Sequence, residues 1–216
     1  MKIKNFLTIV IFLLLISFSS QSFSQNNNKI KYTKKETRNV WGLGFNYAEN
    51  GFGPSVSLFA PIGKATDLSF NLIFSGVTDA REIERFDVFG NSITYDKINR
   101  VFMIPLSIGI KQQLFKDDIE GDFIPLVNFG ISPTLILTNP YNESFFNALG
   151  YTKTHFGFGG YGGIGVYFKQ SESISMSVNL NYYYIPIFGE AVQSLQYSTI
   201  DNVGGFQLGF GINFMK

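Results

Sequence analysis

From Trp41 onward, apolar residues recur at every second position of the sequence. A period of two is that of a β-strand, because successive side chains of a strand point to opposite faces. Helical spacing is not sustained anywhere in this region. The alternation occurs in eight segments, whose apolar faces begin at Trp41, Val56, Leu68, Phe102, Phe123, Phe156, Ile174 and Phe206. The pattern predicts an all-β chain of eight strands, each near the length that crosses a bilayer.

The second face of these segments carries mainly Gly, Ser, Asn and Tyr, and Lys111 is its main charged residue. In a soluble sandwich or barrel, the apolar face points inward and the other face carries charge. Charged residues make up 15% of the chain, against roughly 25% in an average soluble domain. We therefore expect an eight-stranded antiparallel up-and-down transmembrane β-barrel, with its apolar face in lipid and its polar face in a narrow lumen. A soluble β protein is the alternative.

The connections between the segments alternate in length. The link after the first segment, Glu49 to Pro54, is short. Short turns at one end and long loops at the other are typical of outer-membrane barrels. The short connections after strands two, four and six span 61–67, 115–122 and 169–173, and the long ones after strands three, five and seven span 78–99, 139–154 and 186–202.

The N-terminal segment has the three parts of a secretory signal peptide. Lys2 and Lys4 precede an apolar run from Phe6 to Ile16, and residues 22–24 (SFS) form a small-x-small cleavage site. The run is too short for a spanning helix, which needs roughly 20 apolar residues. We predict a signal peptide at 1–24, and thus export from the cytoplasm.

Residues 25–38 are polar and basic, which predicts a flexible leader before a barrel domain at 39–216. The formal net charge of the whole chain is +1, so no global field favours nucleic acid as a partner. The chain has no Cys, which excludes disulfides, thiolate metal sites and a cysteine nucleophile. The Gly-rich stretch 157–165 lacks the strand-to-helix context of a phosphate loop. We expect no cofactor and no metal.

The alternation also assigns individual side chains to a face. The residues that we expect to face the lumen are Tyr161, Tyr167, Tyr183 and Lys111. Aromatic residues near strand ends are placed to form the two interfacial girdles of a membrane barrel. Our interfacial candidates are Trp41, Tyr182, Tyr184 and Phe214.

The last segment, residues 205–216 (GFQLGFGINFMK), resembles the terminal strand of outer-membrane barrels, with the aromatic Phe214 near its end. Together with the eight alternating segments, residues from about 39 to 216 resemble the outer membrane protein beta-barrel domain proteins of Gram-negative bacteria, including the PorT-like set. The resemblance implies an outer-membrane location. It also implies contact with outer-membrane lipid, insertion by periplasmic chaperones and the barrel-assembly machinery, and an envelope protein partner through the outer loops.

Three functions remain open for such a barrel. The first is a structural or interaction role without catalysis, and the second is a narrow channel for small or hydrophobic solutes. The third is lipid A modification, which resembles the activity of some eight-stranded barrels and would require His155 as a base. The deacylase pattern places a Ser two residues after the His, whereas this chain has Gly157, and Glu143 and Glu190 are carboxylates in outer loops.

The long loop 78–99 is charged and contains Gly90-Asn91, a pair that favours a hairpin turn. We expect it to extend strands three and four outward. Its charges keep an exposed ribbon soluble, and the alternative interpretation is an extracellular recognition edge.

Overall fold

A computed structural model describes residues 39–79, 81–86, 88, 92–115, 122–171 and 173–215. The predicted signal peptide (1–24), the predicted leader (25–38) and the predicted turn at Gly90-Asn91 lie outside the described residues. Within these ranges, no helix is long and apolar enough to span a membrane.

The described residues are mostly in β-strands. A helical turn, Phe145–Ala148, and a 3-10 turn, Leu149–Tyr151, lie between two of them. The strands are β1 (Val40–Ala48), β2 (Gly51–Pro61), β3 (Thr66–Ile73), β4 (Ser75–Val77), β5 (Glu84–Phe86), β6 (Ser92–Thr94), β7 (Asn99–Gln113), β8 (Phe123–Pro140), β9 (Lys153–Lys169), β10 (Ile174–Tyr184), β11 (Ile187–Phe188), β12 (Val192–Gln193), β13 (Thr199–Ile200) and β14 (Gly205–Met215).

Eight long strands form one closed antiparallel sheet in the order β1, β2, β3, β7, β8, β9, β10 and β14. The sheet closes because β14 pairs with both β10 and β1, with Val40 opposite Met215 at the seam. Strand β4 continues β3 beyond Phe74 and also pairs with β7. The predicted eight-stranded antiparallel barrel is confirmed.

The two faces of the wall differ as the alternation predicts. In β2, Ser55 and Phe59 are buried inside the barrel, whereas Val56 and Leu58 are exposed on the outer wall. Such exposed aliphatic and aromatic side chains form a belt around the barrel, as an acyl-chain environment requires. The belt includes Leu43, Phe45, Leu72, Phe129, Ile131, Ile164, Met176, Leu180, Phe210 and Ile212.

The first connection is shorter than the sequence suggested. The sequence predicts a link from Glu49 to Pro54, but β2 already begins at Gly51, which pairs with Ala48. A side chain at Gly51 would meet the carbonyl oxygen of Gly76, and the residue has φ +155°, which favours glycine. The glycine that looked like a loop residue therefore allows the hairpin to tighten to two residues.

Candidate functional site

One part of the barrel interior, toward the short turns, is polar. It surrounds a cavity of about 50 Å³ that we call the polar chamber. The side chains of the wall strands line it, including Ser57, Asn71, Lys111, Asn128, Tyr161, Asn179 and Asn213.

Several amide groups in or beside the polar chamber are buried and have no hydrogen-bond partner among the described residues. A buried amide without a partner is unfavourable, so water normally satisfies such groups where there is room. A cavity of about 50 Å³ exceeds the ~10–15 Å³ that one water needs, so the chamber has room for a few. The unpaired atoms are Asn46 Nδ2, Asn128 Oδ1, Asn179 Oδ1, Asn181 Oδ1, Gln207 Oε1 and Asn213 Nδ2.

The structure places Lys111 at the wall of this chamber. Its Nζ lies 4.2 Å from the ring centroid of Phe59 and 5.4 Å from that of Tyr167, and it donates a hydrogen bond to the Tyr167 hydroxyl at 3.4 Å. Asp67 stands directly opposite Lys111 in the β3–β7 register. Cation–π contact and the facing carboxylate hold the ammonium inside the barrel.

Tyr161 and Tyr183 lie inside the barrel with their rings stacked, 5.0 Å between centroids. The Tyr183 hydroxyl accepts a hydrogen bond from Ser107 Oγ at 3.4 Å. A Cβ atom at Gly109 would lie 2.5 Å from the Tyr161 hydroxyl, so the glycine makes room for that ring. These two tyrosines lie at the boundary between the polar chamber and the apolar part of the interior toward the long loops.

The barrel interior toward the long loops is apolar. We call this cluster the apolar plug. Strands β4, β7, β8 and β10 contribute part of it, and the connection from β10 to β14 folds over the strand ends and contributes the rest. Its buried members are Val77, Val101, Met103, Ile136, Tyr183, Ile185, Val192, Ile200 and Val203.

The sequence prediction of a Gly-, Ser- and Tyr-lined lumen misses the plug. One signal could have found it: in Val101–Ile104 and Leu135–Leu137, apolar residues occupy both faces of the strand. An unbroken apolar run indicates a strand that is buried on both sides. At these levels the wall therefore meets packed chain on its inner side as well as the apolar belt on its outer side.

Above the plug, Asp79 connects two of the long loops. Its carboxylate accepts hydrogen bonds from Ser198 Oγ, from the Arg81 backbone N–H at 3.0 Å and from the Arg81 guanidinium at 3.0 and 3.1 Å. Burial raises the pKa of this carboxyl, but the hydrogen bonds from Arg81 and Ser198 outweigh burial and lower the pKa to about 2. Asp79 is therefore ionised at neutral pH.

Glu82 makes a second connection between the same loops. Glu82 accepts a hydrogen bond from Ser194 Oγ of the other loop, and within its own loop it pairs with Lys97 at 2.5 Å. Ser194 Oγ also lies 3.2 Å from the Asn99 carbonyl oxygen. We call Asp79, Glu82, Lys97, Ser194 and Ser198 the loop latch, because they fix the loop after β4 to the loop that completes the plug.

A groove of about 520 Å³ lies beside the loop latch. Strands β5 and β6 pair as the hairpin expected in the loop 78–99, and this hairpin borders the groove. The Arg85 guanidinium stands 5.7 Å from the Tyr95 ring centroid. The groove is lined by Arg81, Ile83, Arg85, Tyr95, Asp96, Leu195, Tyr197 and Ser198.

His155 lies near the start of β9, on the long-loop side. The hydroxyl in contact with it is that of Thr138, 3.4 Å from Nε2, and Gly157 occupies the position where a serine would be expected. Glu143, in the loop before β9, accepts a hydrogen bond from Arg100 through its backbone oxygen. Among the described residues, no group of three His, Cys, Asp or Glu side chains could hold a metal ion.

The four candidate interfacial aromatics lie at both ends of the outer wall. Trp41 stacks on Phe214 at 4.6 Å between centroids, at the end with the short turns. At the opposite end, Tyr182 meets Phe206 edge to face at 4.9 Å, and Tyr184 is exposed nearby.

Comparison with solved structures gives small outer-membrane barrels. A major outer membrane protein from Thermus thermophilus is 13% identical with a TM-score of 0.53, over 83% of this chain and 99% of that one. The N-terminal β-barrel domain of Pseudomonas aeruginosa OprF is 13% identical with a TM-score of 0.49, over 83% and 98%. Neisserial surface protein A is 10% identical with a TM-score of 0.48, over 83% and 96%. No family model and no curated protein sequence matches the chain.

Proposed function

We propose that this chain is an integral outer-membrane barrel with a structural or interaction role and without catalysis. The continuous apolar belt supports a lipid environment, and the fold is that of small outer-membrane barrels. Export by the predicted signal peptide and insertion by periplasmic chaperones and the barrel-assembly machinery belong to this proposal, as does membership of the PorT-like set.

The apolar plug carries the argument for a role other than an open pore. Ile136, Ile185 and Val192 are almost completely buried, and they close the interior toward the long loops. Water and ions cross apolar constrictions poorly, because no polar group there replaces their hydration. A barrel closed in this way presents its surface, rather than its lumen, to other molecules.

Two further observations support an interaction role without catalysis. His155 contacts the hydroxyl of Thr138. A serine esterase instead uses a serine hydroxyl that is hydrogen-bonded to a His base, and a carboxylate orients that base. The loop latch holds the loops around the groove in one arrangement, and a fixed outer surface loses less conformational entropy when a partner binds. We propose this groove as the contact for an envelope protein.

Membrane insertion is tested first by refolding residues 25–216 with phosphatidylcholine vesicles and floating the vesicles on a density gradient after a carbonate wash. The protein should float with the vesicles. Recovery at the bottom of the gradient, with the soluble fraction, would contradict the membrane assignment.

A narrow channel is the second candidate, and the unpaired amides of the polar chamber favour it because polar walls solvate a small passing solute. Planar-bilayer recording separates the two functions. We expect no conductance from the native chain. Steady conductance that increases when Ser194→Ala weakens the loop latch would support the channel. It would also show that the apolar plug does not block the lumen.

The proposed contact is tested with a photo-crosslinking residue at Tyr197, in the groove, and with the same residue at Ile62, in a short turn at the opposite end. In intact cells, we expect a protein adduct at Tyr197 and none at Ile62. If neither position gives an adduct, the structural role alone remains.

A further inference from the structure

The connection between β8 and β9 exposes apolar residues beyond the barrel wall. This segment, Tyr141–Thr152, which we call the helical loop, contains the two short helical turns. Ala148, at the end of the helical turn, is the buried side chain of that turn. Phe146 is 81% exposed, and Phe145, Leu149 and Tyr151 are also exposed.

The helical loop lies against the outer wall of the barrel. Phe145 packs edge to face on Phe102, 6.3 Å between centroids, and Phe102 stacks on Phe74 at 6.0 Å. Phe146 continues the row at 5.6 Å from Phe145. Phe74 and Phe102 belong to the outward-facing side of the wall, so the row of four rings leads from the apolar belt onto the loop without a break.

Hydrogen bonds fix the start of the loop in this position. The Arg100 guanidinium donates to the backbone oxygens of Pro140, Tyr141 and Glu143 at 2.9, 3.0 and 3.1 Å. It also lies 4.9 Å from the ring centroid of Tyr141. These contacts attach the start of the helical loop to Arg100 of β7.

The charge of the helical loop differs from that of the neighbouring hairpin. The helical loop has one charged side chain, Glu143 near its start, and residues 144–152 (SFFNALGYT) have none, whereas residues 81–88 (REIERFDV) carry five charged side chains among eight. Charged side chains suit a ribbon in water. Phenylalanine, leucine and tyrosine without charge suit the boundary between lipid headgroups and acyl chains.

We infer that the helical loop lies in the interfacial zone of the outer leaflet and anchors this side of the barrel to lipid. Phe146 and Leu149 insert at the boundary between headgroups and acyl chains. The row of rings from Phe74 to Phe146 makes this contact a continuation of the lipid-facing wall. The inference rests on the proposed membrane function, because it needs a bilayer around the belt.

Tryptophan fluorescence tests it. Trp41 is the single Trp of the chain, so Trp41→Phe gives a background without Trp. Three variants are then made in that background: Phe146→Trp in the helical loop, Phe129→Trp on the wall and Tyr197→Trp in the groove. Each is refolded in phosphatidylcholine vesicles whose acyl chains are brominated near the glycerol end, and iodide is added from the water side.

Brominated lipid should reduce the emission of Phe146→Trp roughly twofold, with little further loss on addition of iodide. Tyr197→Trp should show the reverse. If Phe146→Trp is quenched by iodide and not by bromine, as expected for Tyr197→Trp, the loop lies in water and the inference is wrong. Phe129→Trp separates failure of this inference from failure of the proposed membrane function. If lipids brominated at mid-chain do not quench the emission of Phe129→Trp, the proposed membrane function fails as well.

Discussion

The polar chamber and the apolar plug occupy the same barrel interior and share residues of β7, β8 and β10 as walls, yet their chemistry is opposite. In β7, Lys111 faces the chamber, and Met103 on the same inner face belongs to the plug. The difference follows what fills each region. The chamber has only wall side chains and space for water, whereas the plug receives Ile185, Val192 and Ile200 from a connecting segment. In this barrel, the inner face of the wall is therefore polar where it borders space for water and apolar where it borders packed polypeptide.

The largest expected effect is in the plug. Ile136→Ala removes a side chain that is 0% exposed, and large-to-small changes in a packed core cost about 2–5 kcal/mol. Urea titration of the protein refolded in vesicles measures the free energy of unfolding. Ile131→Ala, on the lipid-facing side of the same strand, is the matched control and should cost clearly less. Equal losses would mean that the plug is no better packed than the lipid boundary.

The packing of side chains around the polar chamber is tested by substituting two adjacent glycines of β9. A Cβ at Gly163 would lie 2.2 Å from Asn181 Oδ1 and 2.3 Å from the Leu180 carbonyl oxygen, whereas a Cβ at Gly162 meets nothing closer than 3.8 Å. Gly163→Ala should cost about 3 kcal/mol through overpacking, and Gly162→Ala should be nearly neutral. The same urea titration decides. A neutral Gly163→Ala would show that the chamber is loosely filled.

The loop latch above the plug predicts a pH dependence. The pKa of Asp79 falls from 3.8 to about 2 on folding, so its ionised form stabilises the fold by about 2 kcal/mol. Because the folded pKa is the lower one, this contribution is present above a pH of about 4 and is lost as the pH falls through about 2.

We expect Asp79→Asn to lower the free energy of unfolding by about 2 kcal/mol near neutral pH, with the difference from the native chain nearly gone at pH about 2. Unfolding titrations at several pH values measure it. Asp201→Asn, at an exposed aspartate of the same loop region, is the control and should change little. A constant difference across the pH range would remove the ionised carboxylate as the cause.

The smallest effect is expected at the boundary. Tyr183→Phe keeps the ring stacked on Tyr161 and removes only the hydroxyl that accepts from Ser107. The loss should be about 1 kcal/mol, as for one ordinary hydrogen bond. Tyr183→Ala, which also removes the stack, should cost several times more. If the two variants are equally unstable, the hydroxyl rather than the ring joins chamber and plug.

Most of the barrel could be predicted because its signal is local. The alternation of Trp41, Leu43 and Phe45 with small or polar residues requires a strand with one lipid-facing side, and the parity of Lys111 and Tyr161 assigns them to the interior. The wall half of the plug had a local signal in the unbroken apolar runs of β7 and β8. The loop latch and the connecting segment that completes the plug lacked one. Ser198 reaches Asp79 only after the chain has passed around most of the barrel, and the connecting segment after β10 has no sustained period from which its inward turn could be derived.

The seam between β14 and β1 has a consequence for how the molecule forms. Val40 must find Met215, so the first strand lacks one of its two neighbours until the last strand has been synthesised and exported. Contacts between distant parts of a chain form slowly, and an unpaired strand edge attracts other chains in the meantime. This barrel therefore has a vulnerable interval between export and closure, during which a carrier that shields the edge of β1 would protect the chain from pairing with others.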